Sequence, residues 1–365
     1  MISMNDFKAE PEELLQRELA AVERVLRSGW YVLGKELQAF EAAWATACGV
    51  AHAVGVGNGM DAIEIGLRAS GIGPGDEVIT TPMTAFASTL AIMRAGATPV
   101  FADIDPETAL LDPSSVERCI TPRTRAVLLV HLYGHVQQME RWLELGRANR
   151  LLLLEDCAQA HLASWQGRSA GSWGCWGAFS FYPTKNLGAL GDAGMLVTDD
   201  TELARTGRSL RNYGQSERYH HPQTGLNSRL DELQAALLSE RLAWLERFTQ
   251  RRRELAEALY LGLQNPMVAA LAPPRSRENH VHHLFVVRCS QRDRLSAFLR
   301  ENGIESLVHY PVPLHRQPPC AHLARDPRGL AQAEQHAASC LSLPCHPQVT
   351  PAQLHHLIDV VNAFR

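Results

Sequence analysis

The chain contains no Cys-x-x-Cys pair, no run of 18 apolar residues and no excess of basic charge. Each absence excludes a class of function. Its eight cysteines (Cys48, Cys119, Cys157, Cys175, Cys289, Cys320, Cys340 and Cys345) are scattered. Scattered cysteines indicate reduced thiols rather than a disulfide framework or a zinc site. Without a long apolar run no transmembrane helix is expected. Asp6, Glu10, Glu12 and Glu13 stand at the amino terminus where a secretory signal would carry basic and then apolar residues, so a cytoplasmic location is expected. A formal net charge of −4 argues against a nucleic-acid partner, which calls for a basic domain or stripe. The one basic run, Arg251-Arg252-Arg253, is short and is expected to form a solvated helix face. Sixteen histidines include His220-His221 and the group His280, His282 and His283. No neighbouring carboxylate completes a ligand set for them, so no metal is expected.

What is present is the composition of a soluble globular enzyme, with 45% hydrophobic and 20% charged residues. A length of 365 residues exceeds what one compact core usually covers, so two domains are expected. Short apolar segments at 51–56, 76–80, 98–104, 125–131 and 151–155 read as strands. Helical periodicity separates them at 37–48, 60–70, 86–95 and 138–147. This alternation indicates βαβ units and a mostly parallel sheet, which holds its ligands at the carboxyl ends of its strands. A long helix over 231–260 leads into a different pattern: strand 283–288, helix 291–301, strand 304–309 and helix 353–364. The expected division is a large α/β domain over 1–250 and a small α+β domain over 251–365.

Three places carry chemistry. In Ala178–Gly188 an apolar run ends in Ser180, then Lys185 and glycine. A partly desolvated lysine amine loses protonation and becomes a nucleophile toward carbonyls. Alone, Lys185 reads as an ordinary surface residue; the upstream motifs change that. Gly55-Val56-Gly57-Asn58-Gly59-Met60-Asp61 lies at a strand-to-helix junction. Met60 stands where a dinucleotide fingerprint needs its third glycine, so an NAD site is not expected. Free N–H groups at the helix start still suit a phosphate, beside the plainer reading of a tight turn. Leu151 to Asp156 ends a buried strand with two carboxylates, either solvated at the rim or facing a cation such as a protonated ring nitrogen. Gln159 offers a donor and an acceptor at the same rim.

A phosphate cradle at 57–61, an acid at 156, a serine at 180 and a lysine at 185 occur in the order that resembles the pyridoxal-phosphate enzymes of fold type I. More narrowly, the chain resembles the DegT/DnrJ/StrS-type family of nucleotide-sugar aminotransferases. The motifs are Ser28–Gly34, Gly59–Ala62, Pro82–Thr89, His131–Gly134, Glu155–His161, Ser180–Gly188, Asn227–Ala236 and His309–His315. They run nearly end to end.

The resemblance implies a fold type I large domain with a mostly parallel central sheet and a smaller C-terminal α+β domain. Lys185 would hold pyridoxal 5'-phosphate as a Schiff base and shuttle the proton. Asp156 would pair with the pyridine nitrogen, Gln159 would hydrogen-bond the phenolic oxygen and Phe86 would stack on the ring. The backbone at Gly59, Met60 and Asp61, with the Ser180 hydroxyl, would hold the phosphate. Asn227 would reach it from the partner subunit of a homodimer.

The implied reaction moves an amino group from an amino acid, L-glutamate, to a nucleotide-linked keto-6-deoxyhexose. Tyr213, Arg229 and Arg211 are the candidates for the sugar diphosphate. His309, Tyr310 and His315 belong to a segment that approaches the site in this family, or are polar rim residues beside a proline turn. Asn58-Gly59-Met60-Asp61-Ala62 resembles members that aminate C3, where C4 members more often carry Ser-Gly-Thr. His135 and Leu162 also depart from the commoner glutamine and glycine. The alternatives are a C4 aminotransferase, a sugar dehydratase on the same scaffold and a non-catalytic regulatory relative. The dehydratases that replace the Schiff-base lysine by histidine are disfavoured by Lys185.

Overall fold

The computed structural model describes residues 1–365. The apolar segments of the first half become strands β1 (His52–Val56), β2 (Glu77–Thr80), β3 (Thr98–Phe101), β4 (Thr124–Val130) and β5 (Leu152–Asp156). A two-residue hairpin, β6 (Ser164–Trp165) and β7 (Arg168–Ser169), precedes β8 (Trp176–Ser180) and β9 (Gly194–Thr198). Seven of these strands form one sheet in the order β1-β9-β8-β5-β4-β2-β3. Only β9 runs against its neighbours; the other pairings are parallel. The carboxyl ends of β1, β5 and β8 therefore share one rim.

Strands buried on both faces read as continuous apolar runs rather than alternating ones. In β4, Ala126 and Leu128 join one core cluster while Val127 and Leu129 join another. One face is covered by α3 (Gly59–Ala69), α4 (Phe86–Arg94) and α7 (Thr201–Leu210), through Ile63, Ile92 and Leu203. The opposite face packs on α2 (Lys35–Cys48), α5 (Pro113–Cys119), α6 (Met139–Asn149) and the first half of α8 (Glu232–Gly262), through Phe40, Val116, Trp142 and Leu238.

Helix α8 runs unbroken through residue 250, where the change of domain was expected. Leu245 belongs to the large core, whereas Leu255, Ala256 and Leu259 belong to the second one. That second core includes a three-stranded sheet of β10 (Ala269–Ala270), β11 (Phe285–Arg288) and β12 (Cys340–Leu343), with α9 (Arg292–Glu301) and α11 (Pro351–Ala363).

Two expectations are corrected. Residues 304–309 do not form a strand; Ile304 bridges Ile2 and Leu307 bridges Ser342, each singly, so the segment divides its pairing between the amino terminus and β12. The Arg251–Arg253 run is not a solvated face, since Arg252 and Arg253 are buried where the second core closes over α8. No helix is long and apolar enough to cross a membrane.

Candidate active site

Lys185, Asp156, Gln159, Ser180, Gly59 and Met60 line one cleft at the shared rim, together with Thr84, Ala85, Ala87 and Ser88. Each is placed by the local fold. Asp156 is the last residue of β5 and is buried. Its Oδ2 accepts from the Ser88 hydroxyl at 2.7 Å and its Oδ1 from the Ala158 N–H at 3.1 Å. Ser88 in turn shares a hydrogen bond of 3.0 Å with Thr84. The Thr84–Ser88–Asp156 chain thus fixes how the carboxylate faces the cleft.

Gln159 is oriented by its acceptor end. Its Oε1 accepts from the Tyr133 N–H at 2.6 Å, which leaves the NH₂ as the outward group, donating to the Tyr310 hydroxyl at 3.3 Å. Tyr133 also donates to the His309 carbonyl at 2.5 Å and pairs with His336 at 2.9 Å. Tyr310 is thereby tied to the cleft through Gln159, and the His309 carbonyl is held by Tyr133.

Lys185 is half-buried and lines the cleft. Burial pulls its pKa down to about 8, against a smaller upward pull from Asp156. Neutral imidazoles surround it. Burial and the lysine charge hold His161 near 3 and His309 near 4, and push His283 well below its usual range. The His161 ring packs on Phe179 and Phe181 and its Nε2 donates to the Ser180 carbonyl at 2.9 Å.

The start of α3 is the candidate anion cradle. A Cβ on Gly59 would lie 2.6 Å from the Ser180 Cβ, so only glycine lets this helix end press against β8. The Gly59 and Met60 N–H groups find no partner within the chain. Asp61 is a correction: its N–H is taken at 2.9 Å by the Asn58 side chain, the helix cap. Two free N–H groups, a hydroxyl, a desolvated amine, a carboxylate and an outward amide donor are a donor set that fits pyridoxal phosphate.

Other expected residues lie elsewhere. Phe86 opens α4 beside the cleft, with its ring packed partly on the cluster containing Met83, Phe101 and Tyr133. Asn227, Tyr213 and Arg229 form a separate group outside the cleft. Arg229 lies over the Tyr213 ring at 5.3 Å and donates to Asn212 at 3.3 Å, while Asn227 is exposed and bridges Asn212. Arg211 is withdrawn as a diphosphate ligand because it is buried and committed to Glu41 at 2.5 Å and the Gly55 carbonyl at 2.8 Å. His315 is likewise buried and turned onto Glu334 at 2.9 Å. Ser88, Thr84, His161 and His283 were not foreseen. No helical spacing flags the Thr84–Ser88 pair, because Thr84 precedes α4.

The model of the DegT/DnrJ/EryC1/StrS aminotransferase family matches residues 12–362. The chain belongs to this family. Its relatives include the dTDP-3-amino-3,4,6-trideoxy-alpha-D-glucose transaminase of Streptomyces venezuelae, 48% identical over 98% of this chain and 95% of the relative. A pleiotropic regulatory protein of Geobacillus stearothermophilus is 41% identical over 100% of this chain and 98% of its own. Among solved structures, S. venezuelae DesV in complex with a ketimine intermediate superposes with a TM-score of 0.94 at 47% identity, covering 99% of this chain and 97% of that one. The fold type I architecture follows from such structures, and the chain is an enzyme of this aminotransferase family.

Proposed function

We propose that this enzyme transfers an amino group from L-glutamate to C3 of a nucleotide-linked keto-6-deoxyhexose, as a cytoplasmic homodimer serving deoxyaminosugar biosynthesis. The observation that carries the reading is Lys185, a desolvated amine sharing one cleft with Asp156 and Gln159. Pyridoxal phosphate, when bound, supplies the electron sink for the carbon that gains or loses the amine. Lys185 holds the group and moves a proton at the reacting carbon. Asp156 holds the ring nitrogen's proton in place, and the Gln159 NH₂ donates to the ring oxygen. Phe86 offers an aromatic face. The Gly59 and Met60 N–H groups and the Ser180 hydroxyl receive the phosphate, and Asn227 completes it from the partner subunit.

C3 is favoured over C4 by the Asn58–Ala62 cradle and by the 3-amino product named for the S. venezuelae relative. The Geobacillus relative's regulatory name keeps a sensing role as the second reading, against which Lys185 stands. The test is spectroscopic. L-Glutamate should bleach the absorbance of the cofactor-loaded protein, and a synthetic 3-keto nucleotide sugar should restore it. A spectrum indifferent to glutamate and every other amino acid would remove the aminotransferase reading. Restoration by the 4-keto sugar alone would remove C3.

A further inference from the structure

Four arginines are buried, and three of them have carboxylate partners. Arg211 pairs with Glu41, Arg241 with Glu10 and Glu18, and Arg253 with Glu246. Arg252 has none. It is 6% exposed on α8, and its Nη1 donates to the Cys345 carbonyl at 2.8 Å and the His282 carbonyl at 3.4 Å. Its enclosed Nε–H has no acceptor, and no protein acceptor meets Nη2. Burial pulls the guanidinium down to about 10, opposed by the Cys345 thiol and by no carboxylate. A buried cation without a counter-charge is costly, and an anion admitted beside it would offset that cost.

The space for that anion is present. Arg252 lines a cavity of about 80 Å³ with Asn5, Thr184, His283 and His309, and no aspartate or glutamate contributes to its wall. Thr184 precedes Lys185 in sequence, and His283 and His309 both feel the lysine charge. Two residues of the cavity wall are thus within electrostatic reach of Lys185, which lines the neighbouring cleft. It is too small for a hexose or a nucleotide, and suits a planar group of carboxylate size.

We infer that Arg252 anchors a carboxylate of the amino-acid donor, with the Thr184 hydroxyl and the Asn5 amide as neutral donors in the same cavity. This rests on the aminotransferase reading and supplies the donor site that the reading lacked. A guanidinium N–H meets a carboxylate through a charge-assisted hydrogen bond, and Nη2, which no protein acceptor meets, is the group left to make it.

The test uses the cofactor-loaded enzyme and glutarate, a dicarboxylate that lacks the amine and cannot react. Calorimetric titration should show glutarate binding to the wild type, a loss on the order of 100-fold in Arg252→Met and an intermediate loss in Arg252→Lys. Affinity for a nucleoside diphosphate should be unchanged in both. Equal glutarate affinity in all three proteins overturns the assignment, as does a parallel loss of both ligands. Should the variants fail to fold, bromide soaked into wild-type crystals decides. An anomalous peak beside Arg252 supports the site, and an empty cavity overturns it. Bleaching by glutamate together with unchanged glutarate binding would sink Arg252 alone and leave the aminotransferase reading standing.

Discussion

At the scale of single residues, the properties that matter are the proton on Lys185 and the hydrogen bonds on Asp156. Lys8, Lys35 and Lys185 are the chain's three lysines, so capture of pyridoxal phosphate at one of them can be mapped without ambiguity. With a pKa near 8 instead of 10.5, the reactive neutral amine grows from about a tenth of molecules at pH 7 to about nine-tenths at pH 9. Covalent reconstitution of the apoprotein should therefore quicken roughly tenfold across that window, then level off. Borohydride trapping followed by peptide mapping checks this; a rate still climbing steeply at pH 10 would mean an amine that is not desolvated. Lys185→Ala should trap no cofactor at all. Ser88→Ala removes a donor from Asp156 and should cost the half-reaction with glutamate about tenfold, since one hydrogen bond to a charged group is worth ~1.5–3 kcal/mol. Ser88→Thr should recover most of it. Lys185, Asp156 and Gln159 were legible because each stands at a strand end or in a loop within a recognisable order of motifs. Arg252 was not, since nothing in an Arg-Arg-Arg run tells which member a second domain will bury.

Among the elements, α3 carries the sharpest dependence on sequence. Asn58 caps it by accepting from Asp61 N–H, and Gly59 lets its first turn lie against Ser180. Asn58→Ala should lower stability by ~1 kcal/mol while freeing the Asp61 N–H that the cap now occupies, so cofactor affinity should fall less than folding stability does. Gly59→Ala should behave in the opposite way. Its Cβ would meet Ser180 at 2.6 Å, forcing the helix end off β8. Overpacking of this kind costs ~1–3 kcal/mol, and cofactor affinity should drop on the order of tenfold or more because the donors move with the helix. Thermal melts of the apoprotein beside cofactor titrations separate the two effects; equal affinity losses in both variants would contradict the assignment of Gly59 and Met60 as the donors. The parallel strands β1 to β5 were foreseen because burial on both faces makes each a short apolar run. Residues 304–309 also read as a short strand, but the pattern does not tell how far a pairing extends, and Leu307 meets Ser342 of β12 in a single bridge.

For the whole molecule the open matter is whether one chain makes a complete site. Asn227 lies outside the cleft, but the adjacent Ser228 hydroxyl accepts from the Gly57 N–H at 3.0 Å, so this segment is tied to the cradle of its own chain. A contribution in cis and one from the partner subunit therefore compete. The surface offers material for a second copy, with Leu15, Leu19, Leu26, Trp30 and Tyr31 all exposed on or just after α1 (Glu12–Ser28). Mixing two defective proteins distinguishes the arrangements. Lys185→Ala lacks the amine and Asn227→Ala lacks the proposed phosphate ligand. In a mixed dimer with sites shared across the interface, one site draws its lysine from the second variant and its asparagine from the first, and is intact. Random reassortment puts about half of all molecules in mixed dimers, so about a quarter of wild-type activity should return above the Asn227→Ala background. If Asn227 serves its own chain, every site in the mixture retains one lesion and activity stays at that background. A chain that remains monomeric while active would give the same flat result, and light scattering on the mixture tells that case apart.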